Sequence, residues 1–429
     1  MRERLLTRDS KLLLLSAFLN SVPVGYINVV PLVYLAAIGY DPTTIGLIYS
    51  VSALALVLGL IPFGLVADRY GRKKLLIIGS FLPCITYAVF GLTLDPLTLI
   101  IVSAIGGIGF AGGLGVAMAN PTLIPMLATS TPDDKRSVVF GILQSAWAVA
   151  LMLGSLMSIL PSLLTSSLAQ TERTTHFESY FVMMAITAAS VIPVLYVREN
   201  RNGAGLPKSK DRGKITRQFG SGNRGYFSSV GSWSRITQFS VVFACSGFGL
   251  GVLVQLLPTW YSMKFGVGEG LIGMWLALSN LATVISIPMI PFLVSRRGTV
   301  TTAAICGVLG SLLVGIMPFS PLFETAAVLF TIRSVIYGIF WSLLHSYMMG
   351  VVGEGERGTM VGFAYTAWGV GISAGVLIGA EFLAVGLLNL PFSAAIICYI
   401  VASAAVMIFF RKIRPPEEAR GFGLSRVTE

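Results

Sequence analysis

Apolar residues in this chain come in long, nearly unbroken runs separated by short polar turns. They show neither the alternation of a strand nor the one-sided stripe of a soluble helix. Twelve runs stand out: 12–37, 43–66, 75–93, 97–127, 138–163 and 179–197, then 237–263, 270–294, 300–318, 324–350, 358–387 and 391–410. Each has the roughly 20 residues that a helix needs to cross a bilayer's hydrocarbon core. Lipid offers no partner to an open backbone, so a spanning segment is either a helix or part of a closed barrel, and barrel strands alternate. The pattern predicts an all-α integral membrane protein with twelve transmembrane helices. The first run is too long for a signal-peptide core and no small-residue cleavage site follows it, so a retained helix is expected.

Composition agrees. Of 429 residues, 55% are hydrophobic and 11% charged, with a mean hydropathy of +0.81, too little charged surface for a soluble chain of this length. The net charge of +11 raises the question of nucleic acid, and its distribution answers it. With both termini on the cytoplasmic side, 27 of the 30 Lys and Arg fall in cytoplasmic segments, leaving Arg173, Lys264 and Arg333. That is the positive-inside asymmetry of a membrane protein attracted to anionic inner-leaflet lipid. Membrane lipids, not nucleic acid, are the expected macromolecular surroundings, in the plasma membrane.

Residues 198–235 are rich in Gly, Ser, Lys and Arg and poor in apolar side chains, so they cannot bury a core of their own. They are expected to form a basic cytoplasmic linker between an N-terminal half, 1–197, and a C-terminal half, 236–429. The halves repeat. Asn28, Pro31, Tyr34, Gly39 and Gly46 recur 227 residues on as Gln255, Pro258, Tyr261, Gly266 and Gly273. At an offset of 221, Arg136, Gly141, Ala146, Trp147, Val149 and Gly154 recur as Arg357, Gly362, Ala367, Trp368, Val370 and Gly375. Two pseudo-symmetric six-helix bundles in the same orientation follow.

Polar residues inside the spans are the candidates for chemistry. Arg333 lies nine residues inside Glu324, about 13 Å down a helix at 1.5 Å per residue. A cation near mid-bilayer costs at least about 2.5–3.5 kcal/mol, so function or a compensating partner must explain it. Tyr337, Trp341 and His345 follow at steps of four and share its face. Asn20 and Asn28, with Ser16, share a face of the first span, and Gln255 repeats Asn28; all are candidates to line a cavity or to join helices. Glu381 falls near the outer surface, where it would gate or cap its span. No acid sits clearly at mid-depth, so Arg333, His345 and Glu381 are the coupling candidates. Gly106, Gly107, Gly109, Gly112, Gly113 and Gly115 read as a close-packing face of the fourth span. They have neither the Lys nor the preceding strand of a phosphate loop. Trp147 and Trp368 read as packing anchors. Cys84, Cys245, Cys306 and Cys398 fall in apolar runs without a paired motif, and His176 and His345 lie in different halves. No metal site or cofactor is expected.

The most informative segment is the turn at 64–74, Gly-Leu-Val-Ala-Asp-Arg-Tyr-Gly-Arg-Lys-Lys, wedged between two spans. Gly64 permits close helix approach, Asp68 can accept from a helix N-terminus, and Arg69 and Arg72 can pair with neighbouring carboxylates. The 227 offset carries Arg69 and Gly71 onto Arg296 and Gly298 but puts Ser295 opposite Asp68. This turn resembles the loop between the second and third helices of the major facilitator superfamily (MFS), and with the repeat the resemblance covers nearly the whole chain. It implies a secondary active transporter, not an enzyme, whose halves rock around a central site in alternating access. Asp68, Arg69 and Arg72 would then stabilise the state closed to the cytoplasm. The expected cargo is a small organic solute: an organic anion if Arg333 binds it, otherwise sugar-like or drug-like. A coupling proton or ion would accompany it, and the protein would act as a monomer. Two other readings stay open. One is a multidrug efflux antiporter, although the fifth span has Gly154-Ser155 where such antiporters carry Gly-Pro. The other is a non-transporting sensor or assembly factor on the same scaffold.

Overall fold

The computed structural model describes residues 6–109, 112–131, 136–168, 172–198, 233–351 and 357–411, apart from a few side chains within them. The linker expected over 198–235 lies outside the described residues except at its ends. Every regular element among the described residues is helical. The N-terminal half comprises α1 (Arg8–Ile27), α2 (Val30–Ala37), α3 (Pro42–Tyr70), α4 (Arg72–Leu92), α5 (Pro96–Gly106), α6 (Gly113–Thr129), α7 (Arg136–Leu156), α8 (Leu160–Leu168) and α9 (Glu172–Tyr196). The C-terminal half comprises α10 (Trp233–Gly249), α11 (Leu257–Phe265), α12 (Glu269–Ser286), α13 (Ile290–Arg297), α14 (Thr299–Ile316), α15 (Phe323–Val351), α16 (Arg357–Ala384) and α17 (Leu390–Phe410).

Eleven stretches of the described chain are long and apolar enough to cross a membrane. The remaining span is made by the shorter α5 and α6 together, and here the structure corrects the sequence reading of one continuous helix with a glycine packing face. Gly107, Gly109, Gly112 and Gly113 all have positive φ, between 57° and 96°, a region that side chains disfavour. A Cβ on Gly107 would lie 2.0 Å from the carbonyl of Gly112. These glycines break the helix, and α6 then continues the span in the direction of α5, Gly106 lying against Pro83 and Gly115 against Gly79. Only Gly106 and Gly115, flanking the break, match the packing role: with Gly79 they let α4, α5 and α6 touch through backbone.

The repeat survives in three dimensions. Gly71 and Gly298, 227 residues apart, have φ of 105° and 76°, and each donates its N–H to the residue four back, Ala67 and Val294. In both halves this glycine stops one helix and starts the next without a loop. Proline at the first turn of α2 and of α11 marks an equivalent interruption in each leading span. The repeat-related residues meet: Gln255 Nε2 donates to Asn28 Oδ1 at 3.4 Å, and Thr259 Oγ1 donates to Leu32 O, again 227 residues apart, at 3.2 Å. Asn28 and Gln255 therefore lie at the pseudo-twofold axis.

The first and last described residues of the chain and the basic turns around Lys73 and Arg296 lie at one end of the bundle, called here the basic face. Packing differs between the two ends. One apolar core runs through both halves, from Val30 and Ile45 to Val252 and Ala380. Two further cores stay within single halves, one around Leu13, Leu127 and Val194, the other around Phe239, Leu343 and Phe410. The halves are fused toward the opposite face and separate toward the basic face.

Candidate functional site

The seam that fuses the halves can be followed from the opposite face inward. At the rim Thr43 Oγ1 donates to Glu381 Oε2 at 3.2 Å. One turn deeper a Cβ on Gly46 would lie 2.3 Å from Ala380 Cβ, and Ser50 Oγ donates to Ser373 O at 2.9 Å. At Gly369 a Cβ would meet Val57 at 2.3 Å. On the other side of the seam His176 Nε2 lies 3.4 Å from Glu269 Oε1, and Ser158 Oγ donates to Glu269 O at 3.2 Å. Asn280 Nδ2 then donates to Ser155 Oγ at 3.4 Å. Among the described residues, every cross-half hydrogen bond lies between the opposite face and these mid-depth positions.

Where the seam ends, a cavity of about 250 Å³ opens between the halves. Its walls come from both halves: Gly25, Asn28, Leu151 and Ser155 on one side, and α12, α15 and Trp368 on the other. Arg333 is in its lining and is only 4% exposed. Its Nη2 donates to Tyr399 Oη at 3.0 Å, and its Nε is buried without a hydrogen-bond partner. The guanidinium carbon lies 4.3 Å from the Tyr337 ring centroid, 5.2 Å from that of Tyr399 and 5.7 Å from that of Phe330. These rings stabilise a cation through their faces without cancelling its charge. Among the described residues no carboxylate pairs with Arg333. Trp368 Nε1, on another lining side chain, is likewise buried without a partner. The cavity therefore carries net positive charge and unused donors, among aromatic, aliphatic and neutral polar side chains.

The expected site residues divide. Arg333, Tyr337, Trp341 and Asn28 line the cavity. Gln255 sits behind Asn28 and is 2% exposed. Asn20 is not among the lining residues: its amide donates to Ser80 O at 3.3 Å and to Ser190 Oγ at 3.2 Å, so it joins α1 to α4 and α9. His345 also sits back from the lining, its Nδ1 2.8 Å from Trp341 O and its Nε2 2.8 Å from Tyr365 Oη. The α-helical step of 100° carries the fourth residue of the stripe off the cavity face. Trp147 packs beside a core of the N-terminal half, whereas its repeat mate Trp368 is on the cavity wall. The four cysteines are free thiols.

At the basic face the Asp68 side chain lies outside the described residues. Arg69 stands 5.7 Å over the Tyr70 ring and Arg296 4.4 Å over that of Phe292. Gly64 faces Pro121, with a Cβ position 3.9 Å away. Lys73 donates to Leu195 O and Val197 O, both at 2.8 Å, and so caps the C-terminal end of α9. Sequence reading missed Asn280, Ser155, His176 and Glu269 as cross-half partners. A polar residue inside an apolar run was the available signal for Asn280, but nothing in the sequence pairs it with Ser155.

Two repeated helical halves around a charged central cavity are the arrangement of a membrane carrier. The Major Facilitator Superfamily pattern matches residues 13–268 and 239–426, and the chain belongs to that family. It is 25% identical over 236 residues to a putative niacin/nicotinamide transporter, NiaP, of Bacillus subtilis, which covers 52% of this chain and 52% of that protein. It is 31% identical over 101 residues to the 4-hydroxybenzoate transporter PcaK of Pseudomonas aeruginosa, 24% of this chain and 21% of that one. The chain thus spans about half the length of the first of these relatives and about a fifth of the second. Among solved structures, a bacterial homolog of the human lysosomal transporter Spinster, inward-facing and occupied, superposes with a TM-score of 0.71 at 15% identity, covering 94% of this chain and 96% of that one.

Proposed function

We propose that this protein is a plasma-membrane secondary carrier for a small organic anion, of the single-ring carboxylate class. The distribution of Lys and Arg supports a cytoplasmic basic face, and in that orientation the arrangement sealed at the opposite face is the inward-open state. The observation that carries the substrate reading is the buried Arg333 guanidinium with a free Nε, no carboxylate partner and a cavity beside it. A carboxylate entering that cavity gains charge-assisted, potentially bidentate hydrogen bonds and relieves a charge that is costly to bury. At about 250 Å³ the cavity lies below the roughly 300–1,000 Å³ of drug-sized sites, which favours one ring over a nucleoside or disaccharide. The 4-hydroxybenzoate transporter among the relatives is named for a single-ring carboxylate, and the putative niacin/nicotinamide transporter for a single-ring acid together with its uncharged amide, so both names favour one ring and the first favours the acid. A fixed buried cation also disfavours the cationic solutes that many efflux pumps handle.

Rocking would break the seam from Thr43–Glu381 down to Asn280–Ser155 and bring the basic-face turns together. In that outward-open state Asp68, Arg69 and Arg72, with Arg296 as their repeat counterpart, would latch the cytoplasmic side. The test is uptake into proteoliposomes of labelled nicotinate and benzoate beside nicotinamide, an uncharged near-isostere of nicotinate. The carboxylates should accumulate or exchange and nicotinamide should not; equal movement of all three would remove the anion assignment.

A further inference from the structure

The cavity that holds Arg333 has a second polar wall, and it stands on the seam between the halves. Asn280 on α12 donates to Ser155 Oγ on α7 at 3.4 Å, and Ser155 Oγ donates on to Gly25 O at 3.5 Å. All three residues line the same cavity as Arg333. Both contacts are long against the usual 2.9–3.0 Å, so a ligand group can replace them at little cost. Asn280 makes no other side-chain hydrogen bond among the described residues, which leaves its carbonyl oxygen and second amide hydrogen for a ligand.

Asn280 and Arg333 are held in register by the packing of α12 on α15. Ser279 Oγ and Thr331 Oγ1 lie 2.8 Å apart, Thr283 Oγ1 donates to Ser334 O at 3.5 Å, and Gly338 admits Thr283 at a Cβ distance of 2.9 Å. Both residues belong to the same half, so their spacing does not change when the halves rock. Ser155 belongs to the other half and does move. A ligand anchored on Arg333 and reaching Asn280 would therefore meet Ser155 only while this seam is closed.

Resting on the carrier reading above, we infer that Asn280, assisted by Ser155, reads a hydrogen-bonding substituent on the side of the substrate ring away from its carboxylate. The substrate is then a single-ring carboxylate bearing a hydroxyl or comparable polar group opposite the acid, gripped at one end by Arg333 and at the other by Asn280.

Isothermal titration of the full-length purified protein with benzoate and with 4-hydroxybenzoate tests this. The parent protein should prefer the hydroxylated acid by about tenfold, what one neutral hydrogen bond supports. In Asn280→Ala that ratio should fall to about one, and in Asn280→Ser, which keeps a hydroxyl in a smaller side chain, it should be intermediate. A merely structural role for Asn280 would weaken both ligands alike and leave the ratio unchanged, and that result overturns the inference. Equal affinity of the parent protein for the two acids also overturns it. Failure of the parent protein to bind either acid would remove the anion reading itself, and this inference with it.

Discussion

Replacing Arg333 with glutamine should separate substrate recognition from fold stability. Two charge-assisted hydrogen bonds from the guanidinium to a carboxylate, at about 1.5–3 kcal/mol each, put the loss in binding at no less than about 3 kcal/mol. That is roughly a 100-fold rise in Kd for benzoate or nicotinate. The empty protein should respond differently. Removing a cation from the membrane interior relieves about 2.5–3.5 kcal/mol. Against this stand one hydrogen bond to Tyr399, about 1.5–3 kcal/mol for a charged donor, and three ring contacts at 4.3, 5.2 and 5.7 Å, each worth about 2 kcal/mol when desolvated. The partners outweigh the relief by a few kcal/mol, so the ligand-free melting temperature should fall by no more than about 5 °C. The assay is paired: titration of the carboxylate, and thermal unfolding without ligand. Unchanged affinity in Arg333→Gln would refute the binding role. A ligand-free protein melting about 10 °C lower would make Arg333 a structural residue.

Four further outcomes are expected. Glu269→Ala removes the carboxylate 3.4 Å from His176 Nε2 on the seam; at about 0.5–1 kcal/mol for a contact longer than a usual hydrogen bond it should raise the outward-open population about two- to fivefold, read as faster labelling of a cysteine placed at Ser50. Gly154→Ala puts a Cβ 1.8 Å from Val22 O and should cost about 1–3 kcal/mol by overpacking. Gly141→Ala, with nothing within 4 Å, should leave the melting temperature unchanged or higher. Asp68→Asn should cut transport severalfold while the protein still reaches the membrane in normal amount; full transport by that variant would remove the gating role of the charged turn.

Much of this architecture could be read from the chain because spanning helices and the repeat follow from strong, local constraints. Gly71 and Gly298 announce themselves by their 227-residue offset, and the structure gives both the same positive-φ junction. The pairing of Asn28 with Gln255 likewise follows once two equivalent residues face a common axis. The broken fourth span was hidden because glycines serve helix packing and helix interruption alike, and only backbone angles distinguish the two. Asn20 shares a helical face with Asn28, yet its depth sets it against α4 and α9 instead of the cavity. The seam partners were hidden for another reason. Ser155 and Asn280, or His176 and Glu269, sit in different halves, and their meeting depends on how two rigid bodies dock, which periodicity within a helix does not encode.

Alternating access in this carrier requires that the halves move around an anion held at Arg333. Pulsed electron-paramagnetic-resonance distances measure this directly on a variant with Cys84, Cys245, Cys306 and Cys398 replaced by serine. One label pair would sit at Tyr70 and Arg297 on the basic face and another at Ile38 and Val385 on the opposite face, all exposed positions. Saturating benzoate should shift weight toward shorter distances across the basic face and longer ones across the opposite face, and Arg333→Gln should abolish both shifts. Distance distributions at both faces that ignore benzoate in the parent protein would contradict such movement.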